Sequence, residues 1–169
     1  MELVSEAIAF AVKAHDGMRR KKSDAPYILH PMEAAVIVGT MTEDQNLIAA
    51  AALHDVVEDA GININEIEER FGKRVRELVE SETEDKRVNL PPGDTWRIRK
   101  EESLAVLKNT DDIGVLMVWL GDKLANMRSL YRDFKVEGVQ MWQRFNQKDV
   151  SEQAWYYRSI VELTARLSD

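Results

Sequence analysis

Apolar residues recur along this chain at intervals of three and four, and strand-like alternation is nearly absent. The pattern predicts an all-α protein. A first helix covers residues 2–15, with Val4, Ile8, Ala11 and His15 on one stripe and Asp16-Gly17 as its stop. His15 reads as a hydrogen-bonded core or helix-end histidine. A second helix begins near Pro31 or Met32, because proline is accommodated at the first helical position, and His30 then stands just before it. A third runs through residues 47–59 and is halted by Gly61. A short helix over 66–71, capped by Asn63 or Asn65, precedes one over 73–82 with Val75, Leu78 and Val79 inward. Residues 83–94 carry Pro91, Pro92 and Gly93 and read as a surface loop, with a flap over a site as the alternative. A helix over 96–108 follows, capped by Asp94 or Thr95. Asp111 or Asp112 then opens a long one reaching residue 131, apolar nearly all round in its first half as a central helix is. Helices over 136–145 and 149–167 complete the chain, and Trp155 and Arg158 on the last either pack or border a pocket.

Two stripes are interrupted by carboxylates. Leu47, Ile48, Ala51 and Ala52 lead to Asp55, and Val115, Val118 and Trp119 lead to Asp122, with Asn126 and Ser129 further along that face. A carboxylate aimed into a core costs several kcal/mol, roughly, unless it is paired or ligates a metal. His54 precedes Asp55, and Glu58 and Asp59 lie one turn on. His30, His54, Asp55 and Asp122 together make a hydrolytic metal-ligand set. The bland reading of His54–Asp59 is a helix end with a solvated acidic tip and one satisfied histidine, and that of His30 an ordinary loop histidine. Four consecutive cations, Arg19 to Lys22, lie shortly before His30 and are a phosphate-binding candidate; a solvated surface is the alternative.

Composition narrows this picture. The length of 169 residues suits one domain with a proper core. With no cysteine there is neither a disulfide frame nor a thiolate site, so imidazole and carboxylate must hold any metal. The net charge of -7 disfavours a broad nucleic-acid face. No signal-peptide pattern opens the chain, and the longest apolar run, 113–120, is too short for a bilayer. A cytoplasmic protein without nucleic-acid or membrane partners is expected, and the oligomeric state is not legible.

The stretches AHDGMRRKKSDAPYILHP, AALHDVVED, FGKRVRELV and LGDKLANMRSL, in that order, resemble the HD-domain (p)ppGpp hydrolases of the RelA/SpoT family. Small stand-alone alarmone hydrolases of the metazoan SpoT-homologue type belong to that group. The resemblance spans residues 11–131 and is looser beyond. It implies an all-α HD-domain helical bundle, one domain over 1–169, holding one divalent metal, usually Mn2+, on His30, His54, Asp55 and Asp122. It implies that Glu58 and Asp59 order and activate the attacking water. Arg20 and Lys21 match a basic pair near the nucleotide and its phosphates, and Tyr27, Asn126 and Ser129 positions that border the nucleotide. The implied substrate is a small nucleotide, (p)ppGpp, cleaved to GDP or GTP plus pyrophosphate. The chain is short for the family's synthetase domain, so a hydrolase alone is expected. Trp119-Leu120-Gly121-Asp122 departs from the family's Lys-Leu-Ala-Asp, and Met18 replaces a frequent glutamine. Glycine in a helix costs about 1 kcal/mol relative to alanine, so close approach of another element is a reason for Gly121. The alternatives are a phosphatase acting on another nucleotide such as NADPH, a non-catalytic nucleotide sensor, and a purely structural bundle.

Overall fold

Four helices begin where a short polar side chain accepts the backbone N–H two residues on. These are Asp44 for α3 (Gln45–Leu53), Asn63 for α4 (Ile64–Phe71), Asp112 for α7 (Ile113–Glu137) and Asp149 for α8 (Val150–Thr164). The remaining helices are α1 (Leu3–Ala14), α2 (Leu29–Gly39), α5 (Lys73–Glu82) and α6 (Pro92–Asn109). Short 3-10 turns cover Gly138–Arg144 and Ala165–Ser168. This computed structural model describes residues 2–20 and 23–168. Among them there is no strand, only one isolated bridge between Arg19 and Pro26, so the all-α expectation holds. No described helix is long and apolar enough to cross a membrane.

α7 is the central element. It packs against α2, α3, α5 and α8, while α1 covers α3, and α6 leans on α8. Val115, Leu116, Val118 and Trp119 are buried along its first half, joined by Leu53, Val56, Leu78 and Val79 from α3 and α5 and the turns after them. α2 and α7 approach closely at Gly121. A Cβ placed on Gly121 would meet Val38 Cγ2 at 2.6 Å and the Ala34 carbonyl oxygen at 3.0 Å. Glycine therefore stands in this helix because a neighbouring backbone occupies the space of a methyl group.

Several boundaries differ from the pattern reading. α2 starts at Leu29, so His30 lies inside its first turn and Pro31 is the third residue. This is tolerated because the first four N–H groups have no partner within the helix. α3 ends at Leu53, and residues 54–60 form a series of turns rather than two further helical turns. Val56 N bonds Leu53 O at 3.1 Å, and His54 Nδ1 takes up the Ala51 carbonyl at 2.7 Å. α6 begins at Pro92, earlier than expected. α7 runs on to Glu137 and ends because Gly138 adopts φ 61°, which leaves a 3-10 turn where a helix over 136–145 was expected. The last helix stops at Thr164 and tightens into 3-10.

His15 caps α1 and is buried, but neither ring nitrogen has a hydrogen-bond partner among the described residues, contrary to expectation. Its ring lies tilted on Tyr27 at 4.9 Å, and burial lowers its pKa against the pull of Asp55 and Asp59.

A buried histidine and aspartate cluster as candidate metal centre

Three separate elements deliver the cluster. α2 brings His30, the turn after α3 brings His54 and Asp55, and α7 brings Asp122. His30 Nε2 lies 2.9 Å from Asp122 Oδ1 and 3.4 Å from Asp55 Oδ2. His54 Nε2 lies 3.1 Å from Asp55 Oδ2 and 3.4 Å from Asp122 Oδ1. The two imidazole Nε2 atoms face each other at 3.2 Å. His30, His54 and Asp122 are all buried, with ligand atoms close enough to share one ion.

The electrostatics test whether a cation fits. The Ala51 carbonyl fixes the proton of His54 on Nδ1, which aims Nε2 into the cluster. Burial works against charge on His54, yet Asp55 and Asp122 hold it well above the usual histidine range. Burial likewise pushes the two carboxyls up, but His54, together with Lys123 at Asp122, holds both well below theirs. Two ionised carboxylates thus draw positive charge onto a fully enclosed imidazole. A divalent cation on two nitrogens and two oxygens would meet the same demand without that proton, so the donor set fits one.

The flanking groups are equally specific. The Tyr27 hydroxyl stands 2.7 Å from Asp55 Oδ2 and 2.5 Å from Asp59 Oδ2, and burial and these two carboxylates raise its pKa. Asp59 is also ion-paired to Lys86. Glu58 accepts the Glu84 backbone N–H at 3.1 Å and sits 3.4 Å from Lys86, and burial raises its pKa. Arg20 donates to Asn126 Oδ1 at 3.0 Å, and Asn126 donates in turn to Asp122 Oδ1 at 2.8 Å. The Arg20 guanidinium lies over the Tyr27 ring at 5.4 Å. Lys21, expected beside it, lies outside the described residues. Ser129 is half-buried one turn beyond Asn126 and does not line the cavity.

That cavity measures about 150 Å³ and joins the cluster to Glu58, Arg20 and Asn126. It also contains residues the sequence reading missed. Glu82 is buried at the end of α5, 3.8 Å from Lys123, and burial pushes its carboxyl up to about 8 against the pull of Lys123. Lys123 is ion-paired to Asp122. Glu82 follows Leu78 and Val79 at helical spacing, the same signal that marked Asp55 and Asp122. Glu84 and Lys100 complete the wall, and no local pattern announces them, because the strap 83–91 reaches the site through tertiary contacts alone. The strap is thus no plain surface loop: Glu84 and Lys86 hold Glu58 and Asp59.

Comparison with known proteins agrees with this architecture. The family model of the HD domain matches residues 7–149. A guanosine-3′,5′-bis(diphosphate) 3′-pyrophosphohydrolase of Aquifex aeolicus (strain VF5) is 34% identical over 130 residues, covering 77% of this chain and 18% of that protein. A GTP pyrophosphokinase of Brucella ovis is 36% identical over 128 residues, covering 76% of this chain and 17% of the relative. The chain therefore spans less than a fifth of the length of these curated relatives. Among solved structures, a metazoan ortholog of SpoT described as hydrolysing ppGpp superimposes with a TM-score of 0.75 at 25% identity, covering 97% of this chain and 86% of that one. A protein of Listeria monocytogenes EGD-e gives 0.70 at 28% identity, covering 80% and 82%. The matched region contains every residue of the buried cluster, and the chain belongs to the HD-domain family.

Proposed function

We propose that this chain is a divalent-metal-dependent hydrolase that removes the 3′-pyrophosphate of guanosine tetra- or pentaphosphate. His30, His54, Asp55 and Asp122 would hold the ion, with Mn2+ the expected metal. The observation that carries the reading is the convergence of these four side chains in one cluster, with His30, Asp55 and Asp122 lining a cavity shared with Glu58, Arg20 and Lys123. The names and descriptions of the similar proteins supply the substrate class.

The ion supplies Lewis acidity toward water and toward a phosphate oxygen. The chain's own groups do the rest. Glu58, kept from full acidity by burial, takes the proton of the attacking water. Asp59 is anchored by Lys86 and Tyr27 and holds that water in line. The water oxygen joins the phosphorus attached to the 3′ oxygen as that P–O bond breaks, and the 3′ oxygen departs as a hydroxyl with the proton that Glu58 accepted, leaving pyrophosphate as the other product. Arg20, oriented by Asn126, and Lys123 offset the phosphate charge. All the groups invoked lie between residues 20 and 126, and the full 169 residues are proposed to work as one catalytic domain.

The test is pyrophosphate release from guanosine tetraphosphate with and without Mn2+, in wild type and Asp55→Ala, alongside phosphate release from NADPH. Metal-dependent pyrophosphate release lost in the variant is the expected result. Phosphate from NADPH alone would keep the metal site and replace the substrate. Tight binding of guanosine tetraphosphate without turnover would make the protein a sensor.

A further inference from the structure

The strap between α5 and α6 places a carboxylate where an external anion would be well received. Glu84 is only 10% exposed, and its carboxylate accepts from Arg99 Nη1 at 3.0 Å, Lys100 Nζ at 2.6 Å and Ser103 Oγ at 2.9 Å. The three donors come from adjacent turns of α6, and Lys100 lines the same cavity as the histidine–aspartate cluster. Arg99, Lys100 and the Glu84 carboxylate between them carry one net positive charge. Burial lowers the pKa of Lys100, and the nearby Lys123 and Arg99 charges lower it further against the pull of Glu84. A phosphate group brings up to two negative charges and three acceptor oxygens, which suits a guanidinium, an ammonium and a hydroxyl better than a single carboxylate does. Glu84 has a second attachment: its backbone N–H donates to Glu58 Oε2 at 3.1 Å. The residue that fills the anion site thus also holds the carboxylate assigned to the attacking water.

We propose that Arg99, Lys100 and Ser103 form a subsite for a nucleotide phosphate remote from the bond being cleaved, and that Glu84 plugs this subsite until the phosphate displaces it. The inference rests on the nucleotide reading above and adds to it a selectivity for substrates phosphorylated at a second position. The cavity of about 150 Å³ is smaller than a typical enclosed ligand pocket, and displacement of the Glu84 carboxylate would enlarge it on the side of Lys100. Displacement of the Glu84 carboxylate also moves the strap that fixes Glu58, so the remote phosphate and the catalytic carboxylate are mechanically joined.

The experiment compares wild type, Glu84→Gln and Lys100→Met on guanosine tetraphosphate and on guanosine 3′-diphosphate, which lacks the 5′ phosphates. Glu84→Gln is expected to lower KM for the tetraphosphate about tenfold, and Lys100→Met to raise it about tenfold, with at most a third of each effect on the 3′-diphosphate. Equal changes on both substrates, or a KM that rises in Glu84→Gln, overturn the subsite and leave Glu84 a structural ion pair. Calorimetric titration with inorganic pyrophosphate supplies a readout independent of turnover. Affinity in the order Glu84→Gln, wild type, Lys100→Met supports the subsite even if guanosine tetraphosphate is not cleaved, an outcome that would remove only the alarmone reading. Identical pyrophosphate affinities overturn the subsite.

Discussion

Gly121→Ala restores the residue usual at this position in the resembling family, and here it should do harm. Replacing a helix-interior glycine by alanine gains about 1 kcal/mol in backbone terms. Against this, the new methyl would lie 2.6 Å from Val38 Cγ2 and 3.0 Å from the Ala34 carbonyl oxygen. Val38 can rotate, but the carbonyl belongs to α2 and moves only with the helix. Overpacking of this kind costs about 1–3 kcal/mol. The net expectation is a loss of about 1 kcal/mol, or a Tm lower by about 2–4 °C for a chain of this size. The larger effect falls on the site. α2 carries His30, which meets Asp122 at 2.9 Å across that same contact, so separating α2 from α7 pulls the ligand set apart. Metal affinity, titrated by calorimetry, should fall more than the stability loss alone accounts for. The assay pairs thermal unfolding with that titration, and adds Val38→Ala in both backgrounds. A double variant more stable than the sum of its parts is expected, since the smaller side chain makes room for the methyl. A stabilised Gly121→Ala with unchanged metal affinity would refute the steric argument.

Glu58→Gln should lower kcat by about 10²–10⁴ while metal affinity holds; a change confined to KM would remove Glu58 as the proton acceptor. Lys123→Met deprives Asp122 of its buried counter-charge and is expected to cost about 3 kcal/mol in chemical denaturation, with a loss under about 1 kcal/mol counting against the pair. His15 has a folded pKa below its ordinary value of 6.5, so the folded state binds fewer protons than the unfolded one just beneath that pH. Its contribution is fully present above 6.5 and lost as pH falls through the folded pKa. His15→Leu should therefore flatten the stability profile below 6.5, and an unaltered slope there would mean His15 does not titrate with folding.

The sequence marked Asp55 and Asp122 because a charged group on an apolar stripe demands a reason, and the structure encloses both among histidines and cations. The same logic applied to Leu78 and Val79 would have found Glu82. What pattern could not supply was the break after Leu53. Periodicity continues through Asp59, but the side chain of His54 takes the carbonyl that another turn would have used. Helix extent was similarly overridden at Gly138, whose positive φ no apolar spacing reports. Glu84, Lys86 and Lys100 stayed invisible because their partners lie on other elements: Glu58 and Asp59 for the strap, Glu84 for α6. Ser129, expected to border the nucleotide, stands one turn beyond Asn126 and outside the lining of the cavity.

The hydrogen bond between Arg20 and Asn126 joins positions 106 residues apart, and the two histidines are 24 apart. Helices form in about a microsecond, but closing loops of this length is an entropic barrier that local structure does not lower. The donor set, drawn from residues 30 to 122, is thus complete only when elements far apart in the chain have docked, and we expect that docking to follow the rate-limiting step of folding. An ion that requires all four groups would have nothing to hold in the transition state. Added cation should then leave the refolding rate unchanged and slow unfolding instead, so that its stabilising effect is felt as a longer lifetime of the native state.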